Sequence, residues 1–248
     1  MRPAYGPRMR SLEDLRDVDD PAWPDVEAAI RGATTPVTVL PADPSTAERT
    51  LVGLQVTARS AMGALALHTG GLVVDHGWLR VFGGGEPAMN LVAQNPALAA
   101  GVAPGHLVVA VDALGGTFAV NGGGLPGTPG DVAYFGPDDL AWTSLGLGHH
   151  AFVEWALTDD LAAFSQHVRW SGWEAEVEAL PLDRGILPYP FPFTVEGRDV
   201  GAAARKPVPM EELLAIWPDL AAQLSEQRAS APPEPAPKAG RWRRGRRR

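Results

Sequence analysis

The stretch HLVVAVDALGGTFAVNGGG, residues 106–124, decides the fold, because two apolar runs rich in valine flank a short turn that contains aspartate and glycine. The stretch DVAYFGPDDLAWTSLG, residues 131–146, repeats this pattern around Gly136-Pro137-Asp138-Asp139. Upstream, GGLVVDHGWLRVFGGG, residues 70–85, gives a third hairpin with its turn at Asp75–Gly77. Gly, Pro and Asp favour tight turns, whereas β-branched and aromatic residues favour strands. The consecutive hairpins therefore predict an antiparallel meander.

Helix signals surround the hairpins. Ser11 and Asp20 are predicted N-caps, and Pro218 is expected to kink or split the last helix. Predicted helices cover residues 21–32, 43–54, 60–71, 173–180 and 208–227, and a further one covers 148–164 with a break and a second cap at Thr158 and Asp159. Short strands are predicted at PVTVLP (36–41) and LQVTARS (54–60), and residues 86–105 form a helix or an irregular connection. We therefore predict an α+β fold with a mixed, largely antiparallel meander sheet and helices packed on one side.

The composition separates a folded body from a basic tail. The chain has 248 residues, of which 45% are hydrophobic, and its net charge of -8 divides into +6 for residues 229–248 and -14 for the rest. We predict a single domain over residues 1–228 and a disordered Pro/Ala- and Arg-rich tail over 229–248. No secretory signal or membrane span is evident, so we expect a cytoplasmic protein. Because the body is acidic, nucleic acid is a predicted partner only through the tail.

Cysteine is absent from the sequence, which excludes disulfides, thiolate catalysis and cysteine-based metal sites. His150 and Glu154, four residues apart on a predicted helix, are too few to hold a metal ion, and we predict no metal site. Gly83-Gly84-Gly85 and Gly122-Gly123-Gly124 lack the helix start and spacing of a nucleotide-binding loop. These glycines are interpreted as mobile hairpin ends, and we expect no cofactor.

The order of several phrases identifies a family. LQVTARSAMGALALHTGGLVVDHGWLRVFGGG is followed by LVVAVDALGGTFAVNGG, then DVAYFGPDDLAWTSLGLGHHAFVEWAL and WSGWEAEVEAL. This succession resembles a bacterial family of uncharacterised proteins, the domain-of-unknown-function family 2625, over roughly residues 10–215. The resemblance implies no known activity.

Residues 106–157 are also similar to the SUKH superfamily at the level of the fold. The similarity rests on a strand ending in Asp112, the pair Gly115-Gly116, an aromatic strand at Phe118 and a Phe152–Trp155 helix. It implies a twisted sheet with helices on one side. Many members of that superfamily are bacterial immunity proteins that bind and neutralise toxins, although a shared fold does not establish a shared function.

Asp75 and His76 are the candidate acid–base pair. In the functional interpretation His76 is a general base oriented by a carboxylate, with Asp112 contributed by a neighbouring hairpin turn. In the structural interpretation Asp75 hydrogen-bonds its own backbone in a turn, and neighbouring residues of a strand point to opposite faces. We favour the structural interpretation, because no nucleophile motif accompanies the pair.

Tryptophans supply candidate binding residues, since this side chain is enriched at interface hot spots. The candidates are Trp78, Trp142, Trp170 and Trp173, and the last two are expected to be exposed. Our leading hypothesis is a non-catalytic module that binds another protein, in the toxin-neutralising manner that the SUKH resemblance implies. The alternatives are a small hydrolase-type enzyme that uses Asp75, His76 and Asp112, and a domain tethered to nucleic acid by its arginine tail.

Overall fold

The computed structural model describes residues 9–99 and 104–230, which contain a seven-stranded antiparallel sheet. The order of its strands follows the chain: β1 (Val37–Val39), β2 (Gly71–Val74), β3 (Leu79–Phe82), β4 (His106–Asp112), β5 (Thr117–Asn121), β6 (Asp131–Phe135) and β7 (Trp142–Gly148). Each strand pairs with the next strand along the chain, and a hairpin turn or a longer segment connects the two. The predicted α+β fold with a meander sheet is confirmed.

The helices of the described residues fill the connections and the C-terminal part. They are α1 (Leu12–Arg16), α2 (Trp23–Arg31), α3 (Pro44–Leu54), α4 (Ala61–His68), α5 (Pro96–Ala99), α6 (His149–Ala156), α7 (Asp159–Ser165), α8 (Trp173–Glu178) and α9 (Met210–Ser230). Short 3₁₀ helices cover Pro87–Met89 and Gln166–Val168. The stretch 86–105 therefore contains two short helical segments, as far as it is described. None of the helices in the described part of the chain has the length and apolar character needed to cross a bilayer.

Both faces of the sheet are covered. Phe118 of β5 packs against Phe152 of α6 and Phe164 of α7, with ring centroids 5.2 and 6.1 Å apart. Arg80 of β3 points to the opposite face, where it donates hydrogen bonds to the carbonyl oxygens of Leu182 and Arg184. The body thus has a core on the side of α6 and α7 and a second packed layer under Arg80.

The second layer is a separate two-stranded antiparallel sheet, β8 (Arg184–Tyr189) with β9 (Ala204–Pro209). It is joined to the turn between β4 and β5, because Ile186 N donates to Ala113 O at 2.8 Å. Trp217 of α9 is fully buried and donates from Nε1 to Leu114 O at 2.9 Å.

The predicted N-cap at Ser11 is confirmed. Ser11 and Asp14 form a reciprocal capping box, and the side chains of Asp43, Ser60 and Thr158 accept backbone N–H bonds at the starts of α3, α4 and α7. The prediction of Asp20 as the cap of α2 is wrong, because this helix begins after Ala22 without a side-chain cap. Trp23 and Pro24 occupy its first two positions, where proline is tolerated.

Two other predictions are wrong. LQVTARS is not a strand, because Gln55, the C-cap of α3, is left-handed and Ala58 forms backbone hydrogen bonds with Leu15 and Ala22 instead of a sheet neighbour. Of the two outcomes predicted at Pro218, the split is wrong, since α9 runs without a break from Met210 to Ser230, and the kink stays a prediction. The predicted boundary after residue 228 consequently falls inside α9. The rest of the predicted tail lies outside the described residues.

Candidate binding cleft

The turn that carries Asp75 and His76 is left-handed, with φ of 52° and 56° at these residues. Gly77 N donates to Val74 O at 3.2 Å, and Trp78 N donates to Asp75 O at 2.9 Å. Positive φ at two successive central residues is the geometry of a type I′ hairpin turn, which follows the twist of the flanking strands. The predicted turn is confirmed, although the two side chains do not lie on strand positions.

Asp75 and His76 interact with different partners. Asp75 Oδ2 lies 2.6 Å from Arg169 Nη2, and His76 Nδ1 lies 3.6 Å from Glu178 Oε2. The Asp75 carboxylate therefore faces a cation from another part of the chain and not its own backbone, so that part of the structural interpretation is wrong. The carboxylate that neighbours His76 is Glu178 of α8, which no local sequence pattern indicated.

Asp112 organises the turn between β4 and β5. Its Oδ1 accepts hydrogen bonds from Leu114 N and Gly116 N, and its Oδ2 accepts one from the Tyr134 hydroxyl at 2.8 Å. Burial raises the pKa of Asp112, and these hydrogen bonds oppose that effect. The three acid–base candidates therefore have separate hydrogen-bonding or ionic partners.

Arg169 joins several of the candidate residues in one buried cluster. Its guanidinium carbon lies 4.7 Å from the ring centroid of Trp78 and 4.1 Å from that of Trp173, while Asp75 pairs with its charge. Arg205 lies over Trp170 in the same way. Cation–π contact is favourable when the cation is shielded from water. This cluster ties the turn after β2 to α8 and β9.

The expectation that Trp170 and Trp173 are exposed is wrong. Trp78, Trp170 and Trp173 are only 1%, 5% and 8% exposed, because they enclose the arginine side chains. Trp142 is half-buried on the edge strand β7 and packs against Phe135 and His106. The sequence analysis did not predict a role for Arg169, although the sequence shows both a cation directly before Trp170 and an acidic turn residue, Asp75.

The remaining sequence candidates have structural partners. His150 Nε2 lies 3.4 Å from Glu154 Oε1 on the surface of α6, and no set of three His, Asp or Glu side chains within residues 9–99 and 104–230 is arranged to hold a metal ion. Gly83, Gly84 and Gly85 are buried, so they are not mobile hairpin ends. A Cβ on Gly84 would lie 2.0 Å from Ala66 O. These glycines let β3 approach α4.

The most voluminous cavity described, about 810 Å³, is a cleft between the N-terminal helices. Its apolar lining comes from Val18, Pro21, Ala42, Pro44, Ala58 and Leu67. Its charged lining comes from Arg16 and Asp17 at the end of α1, Asp19 in the following loop and Glu48 of α3. We call this site the acidic cleft.

Carboxylates outnumber cations in the acidic cleft. Arg16 pairs with Asp17 at 2.8 Å and with Glu48 at 3.0 Å, and the hydrogen bond from Arg16 lowers the pKa of Asp17. The side chain of Asp19 is fully exposed and lies 3.7 Å from Arg59. His68 stacks on Trp23 with centroids 4.7 Å apart, and burial lowers its pKa, which favours the neutral form. The guanidiniums of Arg16 and Arg59 thus meet three carboxylates, so these groups carry a net charge of -1 and the cleft attracts cations.

Comparison with known proteins gives a family and two bacterial relatives. A family model described as "Protein of unknown function DUF2625" matches residues 12–213. An uncharacterised protein named YbfG from Escherichia coli (strain K12) is 39% identical over 209 residues, which cover 83% of this chain and 94% of the relative. An uncharacterised protein from Haemophilus influenzae is 34% identical over 177 residues, covering 69% and 78% of the two chains. No solved structure matches the chain, and the SUKH similarity stays a prediction.

Proposed function

Because the chain belongs to the DUF2625 family, whose description names no activity, we propose from its own geometry that it is a non-catalytic module that binds another protein. The observation that supports this proposal is the charged lining of the acidic cleft. The carboxylates of Asp17, Asp19 and Glu48 outnumber their cationic partners Arg16 and Arg59 there, next to an apolar wall. A basic side chain of a partner would meet both attraction and apolar contact in this cleft.

The dimensions of the cleft also support protein binding. At about 810 Å³ it accommodates several side chains, and its charged residues are at least a third exposed, so a partner can reach them. Complementary charge accelerates encounter and selects among partners. The predicted cytoplasmic location belongs to the same proposal. Toxin neutralisation rests on the SUKH resemblance alone.

The test compares two charge-neutralised variants with the wild-type chain. The cleft variant carries Asp17→Asn, Asp19→Asn and Glu48→Gln. The matched control carries Glu211→Gln, Asp219→Asn and Glu226→Gln at exposed positions of α9, and so loses the same charge elsewhere. Each is immobilised as the full chain and exposed to lysate of the source organism at low salt.

We expect the wild-type chain and the control to recover the same basic partner in stoichiometric amounts. The cleft variant should recover about tenfold less, and added salt should weaken recovery by the wild-type chain. Equal recovery by all three proteins, or a chain that stays without a stoichiometric partner at native abundance, would contradict the proposal.

A further inference from the structure

Arg80 of β3 carries a buried positive charge without a neighbouring carboxylate. The residue is 1% exposed, and among the described ion pairs no Asp or Glu oxygen lies within 4.0 Å of its guanidinium. Buried charges in proteins are normally paired, because an unpaired charge is expensive to desolvate. Arg80 therefore has no direct ion-pair partner, and only Asp112 and Asp183 compensate its charge, from farther away.

The hydrogen bonds of Arg80 point to the same conclusion. Both come from Nη1, which donates to the carbonyl oxygens of Leu182 and Arg184. Nε is buried without a partner. Burial lowers the pKa of Arg80 to about 10, while Asp112 and Asp183 oppose this effect from beyond ion-pair distance. The side chain is consequently charged at neutral pH and has unused donors.

Arg80 is one of the residues that line a cavity of about 260 Å³. Arg80, His76 and Thr38 line it together with Glu178 of α8, and Val73 and Val177 supply apolar walls. Thr38 is exposed on the edge strand β1, so the cavity is reached from the edge of the sheet. None of these residues lines the acidic cleft. The cavity is thus a second site, independent of the proposed function.

We propose that this cavity binds a small organic monocarboxylate whose charge pairs with Arg80. The planar guanidinium is suited to a carboxylate, which it can contact through two donors. Thr38 and His76 offer further polar contacts, and a short hydrocarbon portion would pack against Val73 and Val177. Glu178, 71% exposed and next to His76, disfavours a ligand with a second negative charge.

The first test adds propionate to the full-length protein and follows the Gly77 backbone amide and the Arg80 Nε–H group by ¹H–¹⁵N NMR. Propionamide, which has nearly the same shape and no charge, and succinate, which has two charges, are the comparison ligands. We expect saturable shifts with propionate and binding about tenfold weaker with each comparison ligand. Equal binding of propionate and propionamide, or no saturable shift with propionate, would overturn the proposal.

The second test fills the cavity without removing Arg80. Val73 pairs with Arg80 across β2 and β3 and lines the cavity, whereas Val39 is 40% exposed on β1 and does not. We expect Val73→Phe to weaken propionate binding by about tenfold and the matched control Val39→Phe to leave it within about twofold. A folded Val73→Phe variant with unchanged affinity would place the ligand elsewhere. If that variant fails to fold, the ligand series on the wild-type chain still decides the proposal.

Discussion

Asp75 and Arg169 form the best-shielded ion pair described, with each side chain only 10% exposed. Removing one charge of such a pair leaves the other buried and uncompensated. We predict that Asp75→Asn, which keeps a residue suited to positive φ, lowers the free energy of unfolding by about 3 kcal/mol. Urea denaturation at pH 7 measures this change.

Making the same substitution in an Arg169→Met variant separates the effect of the charge from the effect of the packing around it. In Arg169→Met the side chain still fills the space between Trp78 and Trp173 but carries no charge, so adding Asp75→Asn should cost less than about 1 kcal/mol. If the substitution costs the same in both backgrounds, the ion pair is not the reason that Asp75 matters.

His149 at the start of α6 has two buried ring nitrogens without hydrogen-bond partners. Burial lowers its pKa from 6.5 to about 4, so the unfolded chain takes up a proton before the folded chain does. Stability due to this group is fully present above pH 6.5 and is lost as the pH falls towards 4. We predict that it contributes about 2 kcal/mol to the stability lost between pH 7.5 and pH 5.

Urea denaturation at both pH values checks this prediction in two variants. His149→Leu should lose less stability than the wild-type chain on acidification, by about the 2 kcal/mol stated above. His150→Leu is the control, because the side chain of His150 is 49% exposed and pairs on the surface with Glu154. It should keep most of the wild-type pH dependence, because burial is the larger cause of the lowered pKa of His149 and the neighbouring His150 the smaller one. A His149→Leu profile parallel to that of the wild type would show that His149 titrates normally.

The chain can continue from β3 through Gly83, Gly84 and Gly85 because glycine has no side chain. Gly84 N donates to Thr69 O at 2.9 Å, and a Cβ on Gly84 would lie 2.0 Å from Ala66 O and 2.9 Å from Ala47 Cα. Since these contacts are to the backbone, neither neighbour can rotate away. We predict that Gly84→Ala lowers the free energy of unfolding by about 3 kcal/mol, as measured by chemical denaturation.

The control for this element is Gly148, the residue before α6. A Cβ at this position would have no neighbouring atom within 4 Å, and the φ of -67° suits any residue. Gly148→Ala should change stability by no more than about 0.5 kcal/mol. A similar effect of both substitutions would mean that backbone flexibility, and not close approach, explains the cost at Gly84.

Elements that are specified by residues close together in the sequence were predictable. The turns at Asp75–Gly77 and Asp112–Gly116 contain residues that accept positive φ or hydrogen-bond the backbone, and they correctly indicated the meander. The strand predicted at LQVTARS is wrong because its alternation is local, whereas its backbone partners Leu15 and Ala22 come from distant parts of the chain. Alternation alone does not distinguish a strand from a buried connection.

The candidate sites were less predictable, because they combine segments far apart in sequence. The acidic cleft brings Arg16 to Glu48, and the second cavity brings His76 to Glu178. Arg169 reaches Trp78 by the same long-range packing. Single residues such as Asp75, His76 and Trp173 were recognised as unusual, but their partners follow only from the tertiary structure.

The net charge of -8 combines a charge of -14 on residues 1–228 with a charge of +6 on residues 229–248. The body repels polyanions, so we predict that any nucleic-acid binding depends on residues 231–248, which lie outside the described part of the chain. Fluorescence anisotropy with single-stranded RNA should show binding by the full chain that falls steeply with salt, and none by a chain ending at Ser230. Replacing the six tail arginines by glutamine should act like the truncation, because the interaction is with phosphate charge. Binding by the truncated chain would instead locate a nucleic-acid surface on the acidic body.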